Sequence, residues 1–256
     1  MIFTDTHTHL YSKEFESDRT ALIQKAIDAG VKRFFMPNIS SESIAPMFEV
    51  EKQFPDHCYP MMGLHPCSVA ASVEEELRIV DEWMSKRAFT AIGEIGIDLY
   101  WDKTFFKRQQ LAFRHQIQLA KKYALPYVIH SRNAFEETME IVNEFKTENI
   151  KAIFHCFSGN LEQAQQVIAA GDFKLGIGGV VTFKNSGLDK VVEAIDLKYL
   201  VLETDAPYLA PAPYRGKRNE PDYLLLVAQK IAEIKKISLE EVAAVTTENS
   251  RYVFGK

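Results

Sequence analysis

Short runs of apolar residues recur along the chain and alternate with longer segments of mixed polarity. The short runs are rich in β-branched and aromatic residues and favour β-strands, whereas the longer segments carry apolar residues at helical spacing. Gly30 and Gly171 stand where two of these helices are expected to end. Alternating strands and helices are typical of a parallel sheet. Eight strands are expected, near Phe3, Phe34, Tyr59, Phe89, Tyr127, Ile153, Phe173 and Leu200.

Eight strand-and-helix units predict an α/β protein with a single (β/α)8 barrel of the TIM type. The 256 residues are a usual length for one such barrel. No linker rich in glycine and serine, low-complexity tract or repeat interrupts them. We therefore expect a single barrel domain over residues 1–256. Helical segments 221–236 and 238–254 are expected to pack against the barrel, because the first carries apolar residues on one face.

The composition is that of a folded globular protein, with 46% hydrophobic and 25% charged residues. A net charge of −5 is evidence against a broad basic face that binds nucleic acid, so a polyanionic substrate would need a local group of cations. Neither an export signal nor a membrane span is indicated. Three cysteines without a C-x-x-C pair argue against a disulfide framework. These features predict a cytoplasmic protein without a membrane or an obligate protein partner.

Two histidines follow the first predicted strand, in the segment Asp5-Thr6-His7-Thr8-His9. In an extended chain, residues i and i+2 point the same way, so His7 and His9 can bind one metal ion. Taken alone, the pair would be better explained as exposed loop histidines. Other strand ends carry similar groups, and a barrel gathers those ends at one mouth. The resulting candidate ligands are His7, His9, Glu94, His130, His155 and Asp205.

These six residues suffice for two divalent ions that share a bridging carboxylate. Our hypothesis is that one ion is held by His7, His9, Glu94 and Asp205 and the other by Glu94, His130 and His155. Mixed imidazole and carboxylate ligands suit zinc or manganese and tolerate magnesium. Metal identity is therefore left open.

The predicted catalytic residues are Asp205, Glu94 and His65. Asp205 would accept the proton of the attacking water, and Glu94 would bridge the ions. His65 ends the third strand and is expected to contact substrate or transfer a proton. Glu203, two residues before Asp205, is expected to support the ligands. His57 and His115 are expected outside the site, before a strand and inside a helix.

Candidate substrate contacts are cations near the predicted mouth. Arg132 follows His130 by two residues, and Arg215, Lys217 and Arg218 lie in the densest basic loop. A solvated surface loop is the alternative for the last three. Aromatic residues that include Tyr100 and Trp101 alternate with lysines and an arginine after the fourth strand, and either stack bases or pack as a lid.

The motifs resemble, in order and along the whole chain, those of the TatD-type deoxyribonucleases within the amidohydrolase-like metal hydrolases. They are residues 5–10 (DTHTHL), 63–66 (GLHP), 93–98 (GEIGID), 126–132 (PYVIHSR), 155–159 (HCFSG), 203–207 (ETDAP) and 215–221 (RGKRNEP). The resemblance implies a barrel, a bridging Glu94, a cytoplasmic location and metal-dependent DNA hydrolysis, often from the 3′ end. Two positions depart from the family pattern: Tyr11 replaces a common acidic residue, and Leu99 interrupts an aromatic pair.

The sequence thus predicts a divalent-metal-dependent phosphodiester hydrolase acting on DNA, with single-stranded DNA among its candidate substrates, and the family resemblance implies a 3′–5′ exonuclease. A bimetal hydrolase of a small amide, ester or lactone is the alternative, because the same centre can activate water against a carbonyl carbon. A binding protein without catalysis is disfavoured by the complete ligand set. The physiological substrate, endonuclease or exonuclease preference and oligomeric state are not decided by the sequence.

Overall fold

The computed structural model describes residues 1–256, and eight parallel strands follow one another along the chain as the polarity pattern predicts. Each strand except the last is followed by a helix that leads back to the start of the next, and the last is followed by two. The strands are β1 (Phe3–Asp5), β2 (Val31–Pro37), β3 (Cys58–Met61), β4 (Ile92–Asp98), β5 (Tyr127–Arg132), β6 (Ala152–Phe154), β7 (Phe173–Ile177) and β8 (Leu200–Leu202).

Nine α-helices surround the strands, and the last two follow β8. No helix combines the length and the apolar character needed to cross a lipid bilayer. The helices are α1 (Arg19–Asp28), α2 (Ser41–Gln53), α3 (Val73–Lys86), α4 (Phe106–Tyr123), α5 (Phe135–Glu144), α6 (Leu161–Ala170), α7 (Leu188–Ala194), α8 (Leu224–Lys235) and α9 (Leu239–Phe254).

The strands form two arcs that meet at two seams. One arc has the order β1-β2-β3 and the other β4-β5-β6-β7-β8. At one seam the Met62 N–H donates to the Ala91 carbonyl at 3.1 Å, and the Gly93 N–H donates to the Met62 carbonyl at 2.9 Å. At the other, the Thr6 N–H donates to the Leu202 carbonyl at 2.9 Å. The strands therefore close into the predicted (β/α)8 barrel, in which the strand order follows the chain.

Large apolar side chains fill the barrel interior. Phe35, Met61, Val128 and Ile153 belong to one buried cluster inside the ring. Phe254, from the end of α9, stacks on Phe35 with ring centroids 3.8 Å apart. The last helix thus seals the lower end of the barrel, and the polar residues gather at the opposite, carboxyl end of the strands.

The fourth strand differs from the sequence prediction. It begins at Ile92 and continues to Asp98, so Glu94 lies inside the strand and not at its end. Its pairing with β5 shifts register between Ile92 and Ile95. Gly96 has φ +146°, and a Cβ there would lie 1.9 Å from the His130 carbonyl oxygen. The prediction was wrong because a local irregularity of the backbone leaves no mark on the polarity pattern.

Candidate metal centre and active site

The segments after β1 and β8 run side by side at the barrel mouth. The Asp205 N–H donates to the His7 carbonyl at 2.9 Å, and the His9 N–H donates to the Ala206 carbonyl at 2.8 Å. The buried Asp5 carboxylate accepts hydrogen bonds from the Thr204 hydroxyl at 2.6 Å and the Thr204 N–H at 3.0 Å. These bonds bring the His-x-His segment and the last acidic segment together.

Glu94 lies at the centre of the candidate site, with only 2% of its side chain exposed. Its Oε2 is 3.1 Å from His7 Nε2 and 3.8 Å from His9 Nε2. Its Oε1 is 2.7 Å from His130 Nδ1 and 3.3 Å from His65 Nε2. The two oxygens thus face different sets of imidazoles, an arrangement that would suit a carboxylate shared by two cations.

Asp205 closes the site from the β8 side. Its Oδ1 lies 3.4 Å from His9 Nε2, 3.8 Å from His155 Nε2 and 3.9 Å from His7 Nε2. The residue has φ +56°, a left-handed conformation that aspartate tolerates better than most residues. Its side chain is 12% exposed, more than that of Glu94, so it stands closer to the open mouth.

His155 lies against His7, with ring centroids 3.4 Å apart. Its Nε2 is 3.6 Å from Glu94 Oε1, and its Nδ1 is 3.0 Å from Glu203 Oε1. Glu203 therefore lies where it can support a candidate ligand, as expected from the sequence. Gly176 leaves room for it, because a Cβ at that position would lie 2.1 Å from Glu203 Oε2.

The candidate ligands are grouped differently from the predicted division between two metal ions. His7, His9 and Glu94 offer three atoms within 4.8 Å of one another, and so do His65, Glu94 and His130. His65, which was predicted to contact substrate or move a proton, thus stands where His155 was expected. His155 instead forms groups with His7 and Glu203 and with Cys156 and Asp205. His65 carried the same strand-end signal as the predicted ligands, whereas Cys156 had no thiol partner to single it out.

Two outer hydrogen bonds fix the orientation of ligand imidazoles. The Tyr11 hydroxyl donates to the Pro37 carbonyl, and its oxygen is 2.9 Å from His9 Nδ1. Because the phenol proton is already used, the oxygen accepts from His9 Nδ1–H and leaves the Nε2 lone pair directed at the site. His130 Nε2 lies 2.9 Å from Asp98 Oδ2, so its Nδ1 faces Glu94. Neither outer partner was among the predicted site residues.

The charges of the cluster shift the pKa values of its members. Burial alone would raise the pKa of Glu94, but the neighbouring histidines, His65 and His7 foremost, hold it well below its ordinary value. Burial lowers the pKa of His7 to about 4, with a further contribution from His155. For His155, burial is outweighed by Glu203, Glu94 and Asp205, and the pKa rises to about 10. Glu94 is therefore ionised and His7 is neutral near pH 7, as metal ligation requires, whereas His155 is protonated in the metal-free cluster and has to lose that proton to bind an ion.

The donor set fits divalent cations. Imidazole nitrogens and carboxylate oxygens on or after β1, β3, β4 and β5 converge into two groups of ligand size. Both groups contain Glu94, and no thiolate is needed to complete either. Zinc and manganese match this combination of nitrogen and oxygen donors.

The basic side chains that were predicted to contact substrate fall into two kinds. Arg132, Arg215 and Lys217 are exposed, and Arg215 lies over the Phe183 ring at 4.4 Å from its centroid. Arg218 is instead engaged within the protein, because its guanidinium lies 2.7 Å from the Asp18 carboxylate and donates to the Glu14 carbonyl. The first three are available to an anion, whereas Arg218 anchors its loop.

Two histidines were predicted to lie outside the site, and both do. His57 precedes β3 at the lower end of the barrel, where its Nδ1 is 2.8 Å from the Lys32 carbonyl oxygen. His115 is on α4 with its Nε2 2.9 Å from Asp81 Oδ1.

Comparisons with known proteins agree over the whole chain. A model of the family described as TatD related DNase matches residues 4–255. The uncharacterized metal-dependent hydrolase YabD of Bacillus subtilis (strain 168) is 39% identical over 255 residues, which cover 99% of both proteins. The crystal structure of YjjV, a TatD homolog from Escherichia coli K12, matches with a TM-score of 0.91 at 30% identity and covers 99% of this chain and 98% of that one. A TatD family hydrolase from Entamoeba histolytica matches with a TM-score of 0.84 at 22% identity, over 99% of this chain and 98% of that one, and shows the fold alone.

Proposed function

Since the chain belongs to the TatD related DNase family of metal-dependent hydrolases, we propose that it hydrolyses phosphodiester bonds of DNA with two divalent ions and removes nucleotides from the 3′ end. The relatives reported above are described only as hydrolases, so the substrate is argued from the residues around the mouth.

The observation that carries the proposal is the position of Glu94. One oxygen lies 3.1 Å from His7 Nε2 and the other 2.7 Å from His130 Nδ1. A carboxylate that divides its oxygens in this way supports two neighbouring cations, which suit an in-line displacement at phosphorus. Divalent ions held there would polarise a phosphoryl oxygen, lower the pKa of water and stabilise the leaving alkoxide.

The protein groups have separate tasks in this reaction. Asp205 stands at the more open side of the cluster and accepts the proton of the attacking water. His9 is held by Tyr11 and His130 by Asp98, so neither imidazole can rotate away from the reacting centre. Together they keep the attacking and leaving oxygens in a fixed geometry.

Exposed cations favour a phosphate substrate over a neutral amide or lactone. Arg132 stands at the carboxyl end of β5, and Arg215 and Lys217 lie in the loop after β8. A strand that crosses the mouth between these loops would meet positive charge on both sides, although the chain as a whole carries a charge of −5.

The test is a digest of oligonucleotides labelled at either end, with metal-stripped protein to which zinc, manganese or magnesium is returned separately. The proposal predicts metal-dependent shortening from the 3′ end, lost in Asp205→Asn and retained in Asp81→Asn, whose partner His115 lies on α4 outside the site. Cleavage of a panel of amides, esters and lactones without hydrolysis of DNA would replace the proposal by the small-molecule alternative. Internal cuts in a circular single strand would contradict the 3′ end preference.

A further inference from the structure

Two large aromatic side chains stand in solvent beside the candidate active site. Tyr100 is 51% exposed and Trp101 is 70% exposed, and both follow the end of β4 at the barrel mouth. Tryptophan is usually well buried, so an exposed tryptophan beside an active site points to a ligand. The sequence left a lid that packs on a helix as the alternative, and these exposures exclude packing for the two residues. Phe105, farther along, does pack against the core.

A cation lies against the two rings. The Arg132 guanidinium is 4.0 Å from the Tyr100 centroid and 5.4 Å from the Trp101 centroid. The rings are nearly perpendicular, at 88°, with centroids 4.8 Å apart. Stacking orients the guanidinium without using its N–H donors, and no salt bridge of the chain includes Arg132. An aromatic face and an unpaired charge thus stand side by side.

One carboxylate ties this pair of rings to the metal centre. Asp98 Oδ1 accepts from the Tyr100 N–H at 2.9 Å and from the Trp101 N–H at 3.3 Å. Asp98 Oδ2 lies 2.9 Å from His130 Nε2. The backbone of the aromatic pair is therefore held at a set position relative to a candidate ligand, which a site that reads a substrate near its scissile bond requires.

We propose that Tyr100, Trp101 and Arg132 form a platform that stacks one nucleobase of the DNA strand and binds the phosphate next to it. The inference rests on the proposed function and adds the residues that recognise the base. Every nucleobase has a π face, so the platform accepts any sequence but requires an unpaired base. Arg132 supplies the complementary charge for the phosphate. A nucleotide without a base would lose the stacking contact and keep the charge contact.

The binding test uses tryptophan fluorescence of the metal-free protein, so that no turnover occurs. The chain has two tryptophans, and Trp83 packs on Phe48 at 5.0 Å between centroids, away from the mouth. Titration with single-stranded oligothymidylate is expected to quench the fluorescence of the wild type and of Trp83→Phe, but not that of Trp101→Phe. An oligothymidylate whose 3′-terminal nucleotides are abasic is expected to bind about 10-fold more weakly. Equal quenching in Trp101→Phe, or equal affinity for the abasic strand, would overturn the platform.

A kinetic test separates this inference from the proposed function. Trp101→Ala is expected to raise KM for oligothymidylate about 10-fold with little change in kcat, while Trp101→Phe keeps most of the affinity because it retains an aromatic face. Thermal unfolding of both variants checks that they fold, as expected for an exposed residue. If the wild type hydrolyses no DNA but Trp101 is still quenched, the proposed reaction fails and the platform stands. If DNA is hydrolysed with the same KM for intact and abasic strands, the reaction stands and the platform fails.

Discussion

Tyr11 stands between His9 and the backbone of β2, since its phenol oxygen lies 2.9 Å from His9 Nδ1 and its proton goes to the Pro37 carbonyl. The phenol therefore fixes both the tautomer and the ring direction of a candidate ligand. A negative charge at this position would do the same and would also make the imidazole more basic. A neutral phenol leaves His9 a weaker donor than a histidine paired with a carboxylate, such as His130 with Asp98.

Tyr11→Phe removes the acceptor for His9 Nδ1–H while preserving the shape of the buried ring. We expect metal affinity to fall about 10- to 100-fold, as is usual when an outer hydrogen bond to a ligand is lost. Competition with a fluorescent chelator measures it. Tyr59→Phe is the matched control, because its hydroxyl also donates to a carbonyl, that of Asp56, but outside the site. An unchanged affinity in Tyr11→Phe would show that the phenol does not orient His9.

Asp98→Asn retains an oxygen for the Tyr100 and Trp101 N–H groups but removes the charge beside His130 Nε2. We expect the ion bound by the His130 group to dissociate more readily, while the fluorescence of Trp101 stays that of the wild type. Metal content after dialysis against graded chelator concentrations measures the first effect. Loss of both ions at the same chelator concentration would contradict the assignment of Asp98 to one ion.

The number of bound ions tests the ligand set directly. Elemental analysis of saturated, desalted protein is expected to give about two divalent ions per chain, since one bridging carboxylate divides the ligands into two groups. His130→Ala and His155→Ala should lower that number toward one, and His115→Ala should leave it unchanged. His65→Ala extends the series, because the structure places His65 beside Glu94 and His130. A value near zero for folded wild-type protein would remove the two-ion hypothesis.

Asp205→Asn tests the proton acceptor. Asparagine keeps the size of the side chain and an oxygen donor but cannot accept the proton of water, so kcat should fall about 10²- to 10⁴-fold at saturating metal. Oligonucleotide binding and thermal stability are expected to change little. Steady-state kinetics with metal content measured in parallel separates loss of the base from loss of an ion. A kcat near that of the wild type would mean that another residue accepts the proton, and His65 would be the next candidate.

The Asp18–Arg218 ion pair should make the stability of the basic loop depend on pH. The hydrogen bond from Arg218 holds the pKa of Asp18 below its ordinary value of 3.8. A depressed pKa means that the contribution is present above the unfolded-state pKa and is lost as the pH falls through the folded-state value. Asp18→Asn should therefore lower the free energy of unfolding at neutral pH by up to about 1 kcal/mol.

The difference should shrink as the pH falls below 3.8. Urea unfolding of metal-free protein at several pH values measures it. Asp28→Asn, which removes a carboxylate that is not in a salt bridge, is the control. A constant difference at all pH values would mean that the asparagine acts through packing and not through charge.

The sequence was sufficient to place the ligands at one mouth, because the end of a strand can be read from the polarity pattern and the barrel brings all strand ends together. His155, which directly follows β6, was predicted in this way, whereas His130 was predicted at the end of β5 and lies inside it. The prediction failed to show that Glu94 lies inside β4, since a register shift of the backbone depends on contacts with β5. A single domain over residues 1–256 and a cytoplasmic location stay predictions.

The partition of ligands between the two ions was less predictable. It depends on how each imidazole rotates about its own bonds, and His155 is turned toward His7 and Glu203 by neighbours from other strands. No local motif contains that information. The same applies to Arg218, whose partner Asp18 is 200 residues away along the chain.

The seam between β1 and β8 brings together candidate metal ligands that are far apart in the sequence. Asp5 and Thr204, whose hydrogen bonds align the two ends of the ligand set, are 199 residues apart. A nascent chain carries His7 and His9 early but gains Asp205 only after the strands and helices between them have been made. We therefore expect tight metal binding only from chains in which the segments after β1 and β8 have paired.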